Sequence, residues 1–241
     1  MKLIIIRHAD PDYSIDSLTP TGWEEARLLA ERVAKWDVTA VYTSPLGRAK
    51  DTAGLSLNKL GMQAEVKDWL REFPIHVPKN GRDDDCAWDW LPADWTPVDA
   101  YYHPTDWMET PAFAQAGAKE AYRRVTDGLD ALLETHGYRR EGRFYRAVHA
   151  NSDTVVLFCH FGLECVLLSH LLGVSPMVLW HGLCAAPSSV TTLYTEERRE
   201  GIASFRMASF GDVSHLYVAD RAPSFSARFC ELFTNEDERH D

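Results

Sequence analysis

Arg7 and His8 follow directly on Leu3-Ile4-Ile5-Ile6, and Ala9 and Asp10 come next. A short apolar run, mostly β-branched, reads as a buried strand. In an open α/β sheet, ligands bind just beyond the carboxyl ends of the strands. The pair therefore stands where a site is expected. Arginine keeps its proton and presents a planar fork of donors that fits phosphate. A histidine beside it can act as a nucleophile. The chemistry this suggests is phosphoryl transfer, with His8 as the attacking group. Alone, an Arg-His dipeptide is weak evidence and an ordinary charged loop is the commoner reading. Its weight comes from what recurs further along.

Thr154-Val155-Val156-Leu157-Phe158-Cys159 is a second strong strand and ends in His160-Phe161-Gly162. Its apolar length is that of a strand covered on both faces. His160 is thus expected at the same sheet edge as His8. Ala40-Val41-Tyr42-Thr43 is a shorter strand, and Ser44-Pro45 reads as a helix N-cap with proline at the first position. Arg48 falls in the first turn of that predicted helix. Helix N-termini attract anions, and an arginine there strengthens the effect. Val66 to Leu70 is a candidate third strand, with Arg71 and Glu72 just after it. A carboxyl at that edge can donate a proton, although solvated glutamates are far commoner.

The elements that must position these residues alternate. Thr19-Pro20 looks like an N-cap with proline at the first helical position, and Glu24 and Glu25 are expected in the first turn. Ala26, Leu29, Ala30 and Val33 repeat at helical spacing. The helix after Ser44-Pro45 runs to about Leu60, where Gly61 stops it. Another spans about Ala118 to His136. Val190 to Thr195 and Ile202 to Ala208 flank a polar run and suggest an antiparallel hairpin. Arg139, Arg140, Arg143 and Arg146 read as surface charge.

Residues 78–113 break the alternation. They carry Trp88, Trp90, Trp95, Tyr101, Tyr102 and Trp107 with no clean period, and read as an irregular aromatic-rich insertion, a candidate lid. Most of the tryptophans are expected to anchor it. The triplet Asp83-Asp84-Asp85 is expected to face water. With no repeat or linker, the whole of 1–241 is expected to be a single domain carrying this insertion.

The 241 residues carry a net charge of -11 and no long basic stretch, which argues against nucleic acid or an anionic membrane as partner. A local pair of arginines can still hold a phosphate against a diffuse negative field. The five cysteines are odd in number and irregular in spacing, which suggests reduced thiols and a cytoplasmic setting. No segment approaches the ~20 apolar residues of a membrane span.

Taken in order, Arg7-His8-Ala9, Leu18-Thr19-Pro20-Thr21-Gly22, Glu25-Ala26, Tyr42-Thr43-Ser44-Pro45-Leu46, Arg48-Ala49, Thr52-Ala53, Phe158-Cys159-His160-Phe161-Gly162, Asp212 and Ser214-His215-Leu216 resemble the signatures of the histidine phosphatase superfamily, the phosphoglycerate mutase-like proteins. The resemblance covers most of the chain except 78–113. It implies an α/β fold, a mostly parallel sheet with helices on both faces, and a phosphohistidine intermediate. Carried over residue by residue, His8 attacks phosphorus, while Arg7, Arg48 and His160 hold the phosphoryl oxygens. Glu72 protonates the leaving oxygen and then activates water. No metal and no cofactor are implied. Ala9 stands where glycine is usual, and Glu25 and Asp51 stand where glutamine is common, both expected to be peripheral. The loop from Asp10 to Ser17 lacks the asparagine usual in the mutases.

The resulting expectation is a metal-independent phosphomonoester hydrolase acting on a small phosphorylated metabolite. Mutase-type phosphoryl transfer and a non-catalytic phospho-ligand binder on the same fold are the alternatives. A metallohydrolase using His8, Asp10, Asp12 and His160 is disfavoured, because two arginines beside those ligands would repel a cation. Oligomeric state is not legible.

Overall fold

A computed structural model describes residues 1–79, 86–226 and 228–238; the Asp83-Asp84-Asp85 triplet lies outside them. The chain runs β1 (Lys2–Arg7), β2 (Pro11–Asp12), β3 (Ser17–Leu18), α1 (Pro20–Val33), β4 (Ala40–Thr43), α2 (Gly47–Leu60) and β5 (Glu65–Val66). The insertion holds α3 (Pro92–Trp95), two 3-10 turns and α4 (Pro111–Gln115). Then follow α5 (Ala118–Thr135), β6 (Tyr138–Glu141), β7 (Phe144–Ala147), β8 (Thr154–Cys159), α6 (Phe161–Leu172), α7 (Pro176–Gly182), β9 (Val190–Arg199), β10 (Ile202–Asp212) and α8 (Ser214–Tyr217).

One eight-stranded sheet has the order β5-β4-β8-β1-β9-β10-β7-β6. The first four of these are mutually parallel, and the other four add on as antiparallel neighbours. The parallel part is the half that carries the site, and helices cover both of its faces. β1 shows why its run of β-branched residues is continuous. Leu3 and Ile5 enter one core with Leu129 and Leu167, while Ile4 and Ile6 enter the other with Leu29, Val33 and Ala53. A strand buried on both faces has no polar side to show.

α1 begins as its sequence suggests. Thr19 caps it by accepting from the Gly22 N–H at 3.0 Å, and Pro20 opens the first turn. α2 stops at Gly61, whose φ of 64° is the left-handed cap glycine accepts most easily. Other expectations are corrected. Glu24 and Glu25 lie beyond the first turn of α1, and Glu25 is buried rather than peripheral. Its carboxyl accepts from the Asp10 and Ser224 N–H groups. α2 starts at Gly47 after Leu46, not at Pro45, because the Ser44 N–H is still bonded across the sheet to Phe158 O at 2.9 Å. The strand expected over 66–70 is only Glu65–Val66, followed by a 3-10 turn at Asp68–Leu70. The β9–β10 hairpin is longer than expected, since the polar run 196–199 continues β9 as its exposed end.

The insertion is held by aromatic contacts distant in sequence. Trp107 and Phe113 are fully buried. Trp180 of α7 meets Trp107 edge-on at 5.6 Å, and Trp90 stacks on Phe113 at 5.8 Å. Beyond α8 the chain returns to the start of the molecule, where the Ser224 and Ser226 hydroxyls donate to Asp10 at 2.7 and 2.9 Å. Among the described residues, no helix is long and apolar enough to cross a membrane.

Glu164, in the first turn of α6, is 1% exposed, and neither of its carboxyl oxygens makes a hydrogen bond of good geometry. Burial pushes its pKa up from 4.5 to about 7, against the Thr191 hydroxyl and the Arg7 charge, with the Glu72 carboxyl adding to the rise. The unfolded chain therefore ionises this group first. Stability is unaffected below about pH 4.5, falls between about 4.5 and 7, and is level above. Glu164→Gln removes this slope. Relative to the parent, the variant is expected to gain about 3 kcal/mol between pH 4.5 and 8, at ~1.4 kcal/mol per tenfold, as read from urea unfolding at both values. An unchanged difference would refute the assignment.

Candidate active site

Parallel pairing aligns the ends of three strands: Arg7 lies opposite Cys159, and Thr43 opposite Phe158. The residues just beyond each end, His8, Ser44 and His160, are therefore neighbours. The His8 and His160 rings lie 5.1 Å apart, tilted by 58°. Arg7, His8 and His160 are each less than a tenth exposed.

His8 is fixed by its backbone. Its N–H donates to Cys159 O at 2.9 Å, and its carbonyl accepts from the Ser188 N–H at 3.0 Å. Ring atom Nδ1 lies 2.8 Å from Ala9 O. A carbonyl only accepts, so Nδ1 carries the proton and Nε2 keeps its lone pair. Ala9 stays within the ordinary backbone regions, which explains why alanine is tolerated there. The turn behind His8 is strained at Ser188, with φ 60°, and the Ser188 hydroxyl shares a 3.0 Å hydrogen bond with His215.

Arg7 stretches towards the α7–β9 connection, donating to Ala185 O, and its Nε is buried without a partner. Arg48 projects from the first turn of α2. It donates to Asp16 Oδ1 at 2.6 Å, while the Gly47 N–H donates to Oδ2 at 2.7 Å. Asp16 thus grips both the helix start and the arginine. Partial burial pushes its carboxyl up, but the Gly47 N–H and the Arg48 guanidinium outweigh this and hold it below the usual range. A Cβ on Gly47 would stand 2.0 Å from Asp16 O, so the loop approaches only because residue 47 is glycine.

His160 Nε2 lies 2.8 Å from Ser44 Oγ, and Nδ1 is buried without a partner. The Ser44 oxygen also accepts from the Leu46 N–H. Glu72 follows the 3-10 turn and reaches across to the start of α6, accepting from the Leu163 and Phe73 N–H groups at 2.9 Å each. All five residues singled out by sequence share this sheet edge. Asp16 and Ser44, which position Arg48 and His160, escape sequence reasoning, since one reads as a loop aspartate and the other as an N-cap.

Electrostatically the site is one field. Burial, then the charges of Arg7 and Arg48, push His8 well below the ordinary histidine range, against the pull of Ala9 O. Burial, then the neighbouring His8 and the charges of Arg48 and Arg7, lower His160 likewise. Burial raises Glu72, against the backbone donors and both arginines. Two neutral imidazoles, two guanidiniums and a carboxyl inclined to keep its proton can bind a dianion, attack it and protonate what leaves.

The parallel half of a mixed sheet, with this pair of histidines and arginines at its edge, makes an α/β site suited to a phosphoryl group. The sequence profile of the histidine phosphatase superfamily (branch 1) matches residues 3–207, and the chain belongs to that family. It is 40% identical over 81 residues to a putative phosphoserine phosphatase 2 of Hydrogenobacter thermophilus, a match covering 30% of this chain and 40% of that protein. It is 27% identical over 151 residues to a probable phosphoglycerate mutase GpmB of Photorhabdus laumondii, covering 57% and 70% respectively. The fold is that of the mycobacterial glucosyl-3-phosphoglycerate phosphatase, with a TM-score of 0.59 at 20% identity over 87% of this chain and 98% of that one. It is also that of an Entamoeba histolytica phosphoserine phosphatase bound to 3-phosphoglyceric acid, with a TM-score of 0.58 at 18% identity over 89% and 98%.

Asp16→Ala frees Arg48 and removes a charge-assisted bond. The expected result is a fall in kcat/KM of about tenfold or more for any phosphomonoester the protein cleaves, with Asp16→Asn retaining part of the loss-free behaviour because it keeps an acceptor. Unchanged kcat/KM in Asp16→Ala would show that Arg48 needs no anchor.

Proposed function

We propose that the protein is a phosphomonoester hydrolase that acts on small phosphorylated metabolites through a phosphohistidine. The observation that carries this reading is the pair of buried, neutral histidines 5.1 Å apart between two arginines, one with its Nε2 lone pair unengaged by the backbone. A binding protein has no need of such a nucleophile.

In the first step His8 Nε2 attacks phosphorus, the N–P bond forming as the P–O ester bond breaks. Arg7, Arg48 and His160 hold the equatorial oxygens and balance their charge, which is most of what phosphoryl transfer requires. With the Ser44 hydroxyl donating to His160 Nε2, Nδ1–H is left to donate to a phosphoryl oxygen. The leaving oxygen takes its proton from Glu72. Water then attacks the phosphohistidine, giving its proton to the Glu72 carboxylate. Phosphate departs, and both residues return to their starting states. The arginines supply the positive charge, so no metal or cofactor is needed. The odd, irregular cysteines support a reducing, cytoplasmic setting.

Rapid mixing with a labelled phosphomonoester and an alkaline quench is expected to yield acid-labile label on His8, absent in His8→Ala. That variant is expected to lose at least ~10³-fold in kcat. Turnover without label would point to direct attack by water, and return of the label to a second hydroxyl would favour the mutase. Glu72 adds a pH signature. Its raised pKa keeps it protonated above the ordinary carboxyl range, so kcat/KM for alkyl esters is expected to fall on the alkaline side as it ionises. Glu72→Gln is expected to lower that rate by ~10²–10⁴-fold and to flatten this limb. An alkaline limb that persists in the variant would assign the acid elsewhere.

A further inference from the structure

A cavity of about 940 Å³ borders the candidate phosphoryl site, with Arg7 and Phe161 in its lining. It lies near the top of the ~300–1,000 Å³ range of pockets that enclose drug-sized ligands. Its walls come from three separate stretches: Trp88 and Trp95 from the insertion, His181 from α7, and Phe229 from the segment beyond α8. The match to the family profile ends at residue 207, and Phe229 lies beyond it.

The polar atoms of His181 on these walls are already engaged. His181 Nδ1 faces Met177 O at 2.6 Å, and its Nε2 accepts from the Trp90 N–H at 3.1 Å. Both ring nitrogens are engaged, so the imidazole offers the cavity a flat face. Trp95 stacks on that ring at 4.8 Å with planes 24° apart, and Tyr102 flanks Trp95 at 5.3 Å. Apart from Arg7, the charged cation on the described wall is Arg228, which pairs with Glu231 and lies over the Phe225 ring. Asp89 adds a carboxyl to this wall, and among its described residues no lysine or arginine besides Arg7 and Arg228 stands ready to clamp a carboxylate. A leaving group here meets aromatic faces, which reward planar apolar groups through buried area and stacking.

Resting on the phosphatase reading, we infer that the leaving-group site selects phosphomonoesters of aryl-bearing alcohols, held between the Trp95–His181 stack and Phe229. Compact carboxylate-bearing esters of the phosphoserine kind are poorer substrates.

The test compares 2-phenylethyl phosphate with ethyl phosphate and O-phosphoserine. These are all alkyl esters, so intrinsic reactivity differs little between the first two. The first is expected to exceed each of the others in kcat/KM by roughly 30-fold. In Trp95→Ala the ratio of phenylethyl to ethyl ester is expected to fall about tenfold, and Trp95→Phe should retain most of it. Should Trp95→Ala fail to fold, Phe229→Ala on the terminal segment carries the same reading. A parental ratio near one, or one that Trp95→Ala leaves unmoved, overturns the inference while the phosphatase reading stands. If no ester is turned over, the phosphatase reading fails instead. Calorimetric binding of the esters to His8→Ala then decides this point: tighter binding of the phenylethyl ester supports the aromatic site, and equal binding refutes it.

Discussion

The parallel register of β1, β8 and β4 is the constraint on which the site depends. Arg7 opposite Cys159 and Thr43 opposite Phe158 bring three strand ends level, so that His8, His160 and Ser44 emerge side by side. A slip of one residue would turn Arg7 and every apolar neighbour to the opposite face of the sheet. The burial of β1 on both faces makes such a slip costly, because Leu3 and Ile5 fill one core while Ile4 and Ile6 fill the other. The side chains that make the fold stable are thus the ones that set the geometry of its chemistry.

Burial at that edge also sets the charges. It disfavours ionised forms, so it lowers the two histidines and raises the carboxyls, while arginine keeps its charge. Glu25, Glu72 and Glu164 all feel the Arg7 charge, yet burial raises each of them. Carboxyls inclined to hold their protons cancel less of the guanidinium field, which favours an anion at this edge in a protein of net charge -11. Asp16 is the exception. It is part-exposed and charged, and it sits where it can hold Arg48 from the solvent side without burying a second carboxylate.

What could be read from sequence follows from range. Arg7, His8 and His160 each sit at the end of an apolar run, so local pattern identifies both the strand and the edge. The caps at Thr19 and Gly61 are also local, and so are legible. Ser44 reads as an N-cap because its local context is Ser-Pro before a helix, whereas its sheet bond to Phe158 has no local signature. Asp16 and Glu25 have partners 31 and 199 residues away, which no periodicity reports. The stretch 78–113 has no repeating hydrophobic pattern because its aromatics are satisfied by one another and by Trp180, rather than by one face of a regular element.

Gly162 joins the chemistry to this insertion. A Cβ there would stand 2.3 Å from the Trp88 ring and 2.8 Å from Glu72 Oε1. Contacts that close are essentially forbidden, so any larger residue would force the tryptophan or the carboxyl to move. The glycine two residues after His160 therefore allows three things to meet at one point: the start of α6, whose N–H groups hold Glu72; the carboxyl itself; and the first aromatic of the insertion. Trp88 also touches Trp180 at 6.2 Å between ring centroids, which carries the packing back to α7 and the wall containing His181. The aromatic cluster and the acid are thus mechanically linked. Placement of the insertion and orientation of Glu72 are set by the same contact, so the residues that shape the cavity also fix the carboxyl that the proposed mechanism uses as its acid.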